Sequence, residues 1–459
     1  MPTIDQYLDQ SRLRFEEELC QFLRIPSVSA DSNCQADMDR AADWLVAELQ
    51  RLGLKTKLIP RAGHPPLVYA ESPDVPGAPT VLVYGHYDVQ PVEPLEAWLS
   101  PPFEPTRRDG NLYARGATDD KGQVFTHIKS AEAWMAVHGR LPVKLKYLIE
   151  GEEEIGSAFV EDFLRQGAAE LACDVVVISD CAQFGPGQPA ITNGLRGIAF
   201  FELHVKGPSQ DLHSGTFGGS VMNPANALTK ILAAMIDDQG RVQLPGFYDD
   251  VAPISDLERR QMAALPFDEA EYKEQIGVSA LAGEVGYTTL ERRGARPTFD
   301  INGIGSGCHG PMAKTIIPAI ASAKFSFRLV PNQRPEKIAA SLRTLLERLR
   351  PPGVELELLE RNGAPGVVIP IDSPYIEAAA RAIEHAFGCR PLYTREGGSI
   401  PIVTTFHEEL GADSLLLGWG LDDDNAHSPN EKFSLVDFHR GIRASAKLWE
   451  ELSKLPKTT

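Results

Sequence analysis

The feature that most narrows the fold is a pair of short, uninterrupted apolar runs, Val81-Leu82-Val83-Tyr84 and Val175-Val176-Val177-Ile178. Four apolar residues in a row leave no polar face for solvent, so each run reads as a strand covered on both sides. Val143, Leu145, Tyr147 and Ile149 instead alternate with their neighbours, which predicts a strand nearer the sheet edge. Between the first run and this segment, Val124, Ile128, Ala131 and Met135 share one face of a helix. Strand, helix and strand in alternation predict an α/β architecture: a mixed, mostly parallel sheet with helices on both faces.

From about Leu195 the texture changes. Gly197 to Val205 and Ala323 to Val330 predict strands, Pro224 to Asp238 predicts a helix, and an acidic, loop-rich stretch runs from Leu244 to Arg296. Without regular βαβ alternation, this reads as a separate α+β unit. After Asn362-Gly363-Ala364-Pro365-Gly366 the α/β texture returns, with helices expected over Tyr375 to Phe387 and Val436 to Leu452. The expected organisation is a discontinuous α/β domain over 1–194 and 363–459, with a two-layer α+β domain inserted over 195–362.

Charge and cysteine usage bound the function. The 459 residues include 45 Lys+Arg and 63 Asp+Glu, a net charge of −18. A field of that sign repels phosphate backbones and anionic lipid, so neither nucleic acid nor a membrane is an expected partner. The six cysteines show no CxxC spacing and are too few for a disulfide framework in so long a chain. Leu8, Phe15, Leu19, Phe22 and Leu23 lie at near-helical spacing among acids, which predicts a helix of the mature fold rather than a signal peptide. No stretch approaches the ~18 apolar residues of a membrane span. A cytoplasmic location is expected.

The chemistry-bearing residues fall where the expected strands end. His86 and Asp88 follow the first strand, Glu152-Glu153-Glu154 the second and Asp180 the third. Asp119-Asp120 precedes a helix, and His427 sits in a loop after the apolar run Ser414 to Trp419. Taken singly, each has an ordinary explanation: a helix N-cap for Asp119-Asp120, a solvated charge run for the glutamates. Ligands of open α/β sheets bind at the carboxyl ends of strands, and histidine and carboxylates delivered to one such edge suit a divalent metal. Gly303-Ile304-Gly305-Ser306-Gly307 lacks the context of a dinucleotide fingerprint, and neither a GxxxxGK[ST] nor a GxSxG motif is present.

Three segments carry a resemblance. Tyr84-Gly85-His86-Tyr87-Asp88-Val89-Gln90-Pro91, Arg115-Gly116-Ala117-Thr118-Asp119-Asp120-Lys121-Gly122 and Glu150-Gly151-Glu152-Glu153-Glu154-Ile155-Gly156-Ser157 resemble the co-catalytic metallopeptidases of family twenty. Asn193 to Gly197, Asp211 to Gly215, Phe327 to Pro331 and Arg395 to Pro401 look most like the cytosolic non-specific dipeptidase and carnosinase branch of that family. The resemblance implies a phosphorylase/hydrolase-like catalytic domain and an inserted domain that serves as lid and dimer interface.

It also implies roles. His86 and Asp180 would hold one divalent metal, Glu154 and His427 a second, and Asp119 would bridge them, with a cis peptide between Asp119 and Asp120. Asp88 would orient His86, and Glu153 would be the general base. His213 would reach into the partner subunit's site to polarise the scissile carbonyl. Thr315, Arg328, Gly398 and Ser399 would hold a substrate's C-terminal carboxylate. The dipeptidases usually carry a histidine in the Gly-rich return, where this chain reads Asn362-Gly363-Ala364-Pro365-Gly366.

The implied protein is a homodimeric dipeptidase with two Zn2+ or Mn2+ ions per subunit, acting on dipeptides or short peptides with a free C-terminus. N-acyl-amino-acid deacylation at the same site is the alternative.

Overall fold

The computed structural model describes residues 2–308, 314–398 and 400–457. The chain divides into two units. The first comprises Met1–Asn193, Ile369–Thr394 and Thr405–Thr459; the second comprises Gly194–Val368 and Arg395–Thr404. The segment Arg395–Thr404 thus counts with the second unit, although the sequence reading gave everything after 363 to the first. Arg395 is paired with Glu258, and Arg196 Nε donates to the Gly397 carbonyl (3.2 Å), so local bonds hold the segment there.

The first unit is built on a mixed sheet. Seven of its nine strands are, in spatial order, Lys55–Arg61, His64–Glu71, Lys144–Glu150, Thr80–His86, Val175–Ala182, Asp413–Gly420 and Ala190–Leu195. Pairing is parallel across the central four, Lys144–Glu150 to Asp413–Gly420, and antiparallel on both flanks. The two apolar runs lie in central strands, as expected of strands covered on both faces. Alternation along Thr80–His86 shows the two covering layers. A Cβ at Gly85 would meet Val124 of the helix Lys121–His138, whereas Tyr84 packs edge-on against Phe406 of the helix Pro401–Leu410. Successive strand residues point to opposite faces, so helices cover both.

Lys121–His138 is buried almost all round, because Ile4–Leu23 and Leu435–Leu452 pack over it from outside. Its buried amines are satisfied. Lys121 Nζ donates to the Ile25 carbonyl (2.7 Å) just past the end of Ile4–Leu23, and Lys129 Nζ lies 2.5–3.1 Å from Glu18, Glu48 and Glu132.

Lys144–Glu150 lies nearer the sheet edge than Thr80–His86 and Val175–Ala182, as its alternation predicts, with His64–Glu71 and Lys55–Arg61 outside it, though it is buried from Leu145 onward. Lys146 is buried and donates to the carbonyls of Glu170 and Ala172, at the C-terminus of the helix Ala158–Leu171. A lysine at that end answers the helix's unpaired carbonyls and its dipole.

The second unit is an antiparallel sheet, ordered Thr298–Ser306, Ile320–Leu329, Gly197–Lys206 and Glu355–Ala364, with Pro224–Ala233 and Pro335–Leu349 packed against it. Ala199, Phe201, Leu203 and Val205 alternate onto the buried face and meet Phe325 and Phe327 from the neighbouring strand. The helix expected to reach Asp238 ends at Ala233. Asp237 Oδ1 accepts from Gln239 N and Arg241 N, and Gly240 takes φ 73°, so a turn replaces the last helical residues. The loop-rich stretch contains three short helices, two of them opened by capping boxes at Ser255/Glu258 and Thr288/Glu291.

Candidate metal centre

All seven sequence-predicted residues of the first unit come together at the carboxyl ends of the central strands. His86 ends the strand Thr80–His86, Asp180 lies two residues before the end of the strand Val175–Ala182, and Glu153 opens a short 3-10 turn after Lys144–Glu150. Two donor groups form, His86/Asp119/Asp180 and Asp119/Glu154/His427, each with one ligand atom per residue lying within 4.8 Å of the others. Asp119 belongs to both: its Oδ1 is 3.2 Å from His86 Nε2 and its Oδ2 is 2.8 Å from His427 Nε2. The Asp119–Asp120 peptide is cis.

Two glycines of the motifs are required by close approach. A Cβ at Gly122 would lie 1.8 Å from the Ala117 carbonyl, and one at Gly85 would lie 2.7 Å from Asp120 Oδ2. These contacts let the loop bearing Asp119 lie flat against the strand bearing His86.

Asp88 shapes the other side. It is fully buried and accepts from Glu153 N and Glu154 N, at 3.2 Å each. His86 Nδ1 faces the Asp88 carbonyl (3.1 Å) and Asp88 Oδ1 (3.3 Å). With two acceptors before it, Nδ1 carries the proton, which turns the Nε2 lone pair toward Asp119. That Nε2 is buried and makes no hydrogen bond. At 3.2 Å from Asp119 Oδ1, this nitrogen needs positive charge between the two: a proton in the metal-free chain, or a bound cation in its place.

The electrostatics agree. Burial opposes charging His86, but Asp119 and Asp88 more than offset it and hold the ring well above its usual range. Burial and the neighbouring Asp119 and Asp120 push Asp180 well up, a sign of more negative charge than the site can carry alone. Asp119 and Glu154 lift His427 to about 10. Burial raises Glu153 to about 7, with Glu154, Asp119 and Asp88 adding to the rise and His86 opposing it. The donor set and the orphaned Nε2 fit divalent cations, whereas Glu153 belongs to neither group.

A third acidic group, Glu18/Glu48/Glu132, has equal spacing and a different content. Lys129, Arg14 and Arg51 already lie against it (Arg14 to Glu132 2.5 Å, Arg51 to Glu132 2.7 Å), so the chain's own cations neutralise it.

The second unit carries the remaining candidates. Leu212–His213 pairs with Ile316–Ile317, and Ser214 N and Oγ both donate to the Thr315 carbonyl (3.0 and 2.9 Å), so His213 and Thr315 are neighbours. The exposed His213 accepts from Gly215 N at Nδ1 (3.0 Å), which leaves its proton on Nε2 as an outward donor. Arg328 is half-buried on Ile320–Leu329, Gly398 is exposed, and Ser399 lies outside the described residues.

Three residues escaped the sequence reading. Gln90 Nε2 donates to Glu154 Oε2 (2.8 Å), His64 Nδ1 meets Glu152 Oε1 (2.8 Å), and Arg196 holds the Gly397, Arg292 and Arg296 carbonyls. Gln90 and Arg196 stand inside recognisable motifs, but nothing in a motif says which neighbour a side chain meets. His64 had no signal, because its hairpin was not foreseen.

A mixed sheet that gathers two histidines and several carboxylates around one shared aspartate, with a near-neutral glutamate beside them, defines a metal-dependent hydrolase. The chain belongs to peptidase family M20/M25/M40, which it matches over residues 82–451. It is 34% identical over 465 residues to the Cys-Gly metallodipeptidase of Schizosaccharomyces pombe, covering 98% of each chain. Among solved structures, human carnosine dipeptidase 1 aligns with TM-score 0.83 and 32% identity over 98% of both chains. An M20 family metallo-carboxypeptidase from Sulfolobus solfataricus aligns with TM-score 0.86 and 33% identity, covering 96% of this chain and 99% of the other.

Proposed function

We propose that this chain is a metal-dependent dipeptidase, cleaving the peptide bond of dipeptides or short peptides with a free C-terminus. The observation that carries the reading is the pair of donor groups sharing Asp119, with His86 Nε2 buried and unbonded and Glu153 beside both groups. His86 and Asp180 would hold one ion, Glu154 and His427 the other, and Asp119 both. Bound there, divalent ions supply Lewis acidity, acidifying water and polarising a carbonyl. Two histidines and three carboxylates suit Zn2+ or Mn2+.

The chain's own groups do the rest. Asp88 keeps the His86 tautomer. Glu153, poised near neutrality, takes the proton of the attacking water and passes it to the leaving amine. The outward Nε2–H of His213 donates to the scissile carbonyl oxygen of a substrate in the other subunit's site. Thr315, Arg328, Gly398 and Ser399 hold the substrate's C-terminal carboxylate, Arg328 supplying the charge.

The dimer would form through the second unit. Its edge strand Thr298–Ser306 exposes Ile301 and Ile304, and an open strand edge with apolar side chains favours pairing with a second copy. Cys20, Cys34, Cys173 and Cys389 are thiols, which supports a cytoplasmic location. Among the described residues, no helix is long and apolar enough to cross a membrane.

Turnover of a dipeptide panel against an N-acetyl-amino-acid panel, before and after chelation and with Zn2+ or Mn2+ restored, tests the reading. Dipeptides should be cleaved and chelation should abolish it. Activity confined to acetyl-amino acids would mean a deacylase, a reading that no feature of the site favours. Metal uptake without turnover on either panel would mean a binder.

A further inference from the structure

We infer that Glu431 is a positioning residue that ties the His427 loop to the Asp119 loop and so sets the two halves of the metal centre against each other. The inference rests on the metal reading above. Glu431 is fully buried, and its two oxygens accept four hydrogen bonds. Oε2 accepts from Arg115 Nη1 (2.9 Å) and Gly116 N (2.9 Å); Oε1 accepts from Thr118 N (2.9 Å) and Asp119 N (3.1 Å).

The small sheet beside the centre explains why these groups meet. Lys432–Ser434 runs antiparallel to Asn111–Tyr113 with Lys432 opposite Tyr113, and one step further the Glu431 carbonyl accepts from Ala114 N (3.1 Å). The two chains leave that sheet side by side, one leading to Asp119 and the other coming from His427. Gly116 takes φ 84°, and a Cβ there would strike Val89 Cγ1 at 2.7 Å, so glycine lets the loop pack closely where its N–H meets Glu431.

The His427 loop needs such a tether. Asn425, His427 and Asn430 all have positive φ (57°, 61° and 64°), a left-handed conformation that is uncommon outside glycine and that asparagine tolerates best. At its start, Asp424 Oδ2 accepts from Thr118 Oγ1 (3.2 Å) and Leu421 N (2.8 Å). At its end stands Glu431. Both tethers converge on the Thr118–Asp119 segment.

Every partner of the Glu431 side chain is a donor, two to each oxygen. The place accepts a group with lone pairs in all four directions and no hydrogen of its own, which an ionised carboxylate is and an amide of the same size is not. This separates positioning from packing, because glutamine fills the same volume.

The test is cobalt titration of metal-free Glu431→Gln, read by competition with a chelating indicator and by the Co2+ visible absorption spectrum. Far-UV circular dichroism verifies the fold, and kcat and KM are measured on a dipeptide. The expected result is a native fold, Co2+ affinity weakened about 10–100-fold, a shifted spectrum, and kcat reduced more than KM is raised. Wild-type affinity and spectrum in folded Glu431→Gln would overturn the inference. If that variant does not fold, Glu431→Asp carries the test, since it keeps the charge and shortens the reach. Unchanged Co2+ affinity and spectrum there would equally overturn it. Wild-type protein that takes up no Co2+ would instead refute the metal reading itself.

Discussion

Replacing Asp88 by asparagine probes the joint between the metal ligands and the base. Two backbone donors converge on this buried carboxylate, Glu153 N on Oδ1 and Glu154 N on Oδ2, while His86 Nδ1 lies 3.3 Å from Oδ1 and bonds the Asp88 main-chain carbonyl (3.1 Å). An asparagine amide must turn its NH2 toward one side. The less costly choice keeps the oxygen at Oδ1 and orphans Glu154 N, at about 1–3 kcal/mol for a buried unmade hydrogen bond. The other choice orphans Glu153 N and also turns the amide NH2 toward His86 Nδ1. The His86 imidazole also loses the carboxylate that strengthens it as a ligand, which weakens metal binding about 10–100-fold. Urea unfolding of the metal-free protein should show the first effect, and competition with a chelating indicator the second. Wild-type metal affinity in a folded Asp88→Asn protein would refute the claim that the Asp88 carboxylate strengthens His86 as a ligand. Unchanged unfolding would refute the hydrogen-bond accounting.

Glu153→Ala should keep its full complement of bound metal while kcat falls about 10²–10⁴-fold, because the base belongs to neither donor group. Loss of metal stoichiometry, measured by elemental analysis, would mean that Glu153 and Glu154 have exchanged roles. Gly122→Ala should destabilise the first unit by about 1–3 kcal/mol, since its Cβ would sit 1.8 Å from the Ala117 carbonyl; a wild-type melting temperature would contradict this. Glu153→Ala and His213→Ala, co-refolded in equal amounts, should recover about a quarter of wild-type activity, because random two-fold pairing makes about half the dimers mixed and each mixed dimer holds one complete site. Proven heterodimers without that recovery would show that His213 does not act across the interface.

Much of the first unit was legible because its signals are local. A run such as Val175 to Ile178 has one economical burial, between two layers, and ligands of such sheets gather where the strands end. His86, Asp119, Glu154, Asp180 and His427, far apart in the chain, do come within reach of one another. Alternation along Lys144–Glu150 did report a place nearer the sheet edge, but not what its polar residues meet: Lys146 answers the end of a helix.

The residue types at the motif positions, and hence the chemistry available, follow from the sequence alone. What only the tertiary structure decided is which charges find opposite charges and which find each other. Glu18, Glu48 and Glu132 also gather within 4.8 Å, yet each of the three helices that bring them together brings a cation too, Arg14, Arg51 and Lys129, and these neutralise them across the helices. At His86, among the described residues, no lysine or arginine pairs with the ring's carboxylate neighbours, and the imidazole itself faces Asp119. Glu431 shows the same dependence, since four donors reach it from residues more than three hundred positions away. A carboxylate's role is set by what surrounds it in three dimensions, because Coulomb and hydrogen-bond energies depend on distance through space and local dielectric rather than on separation along the chain.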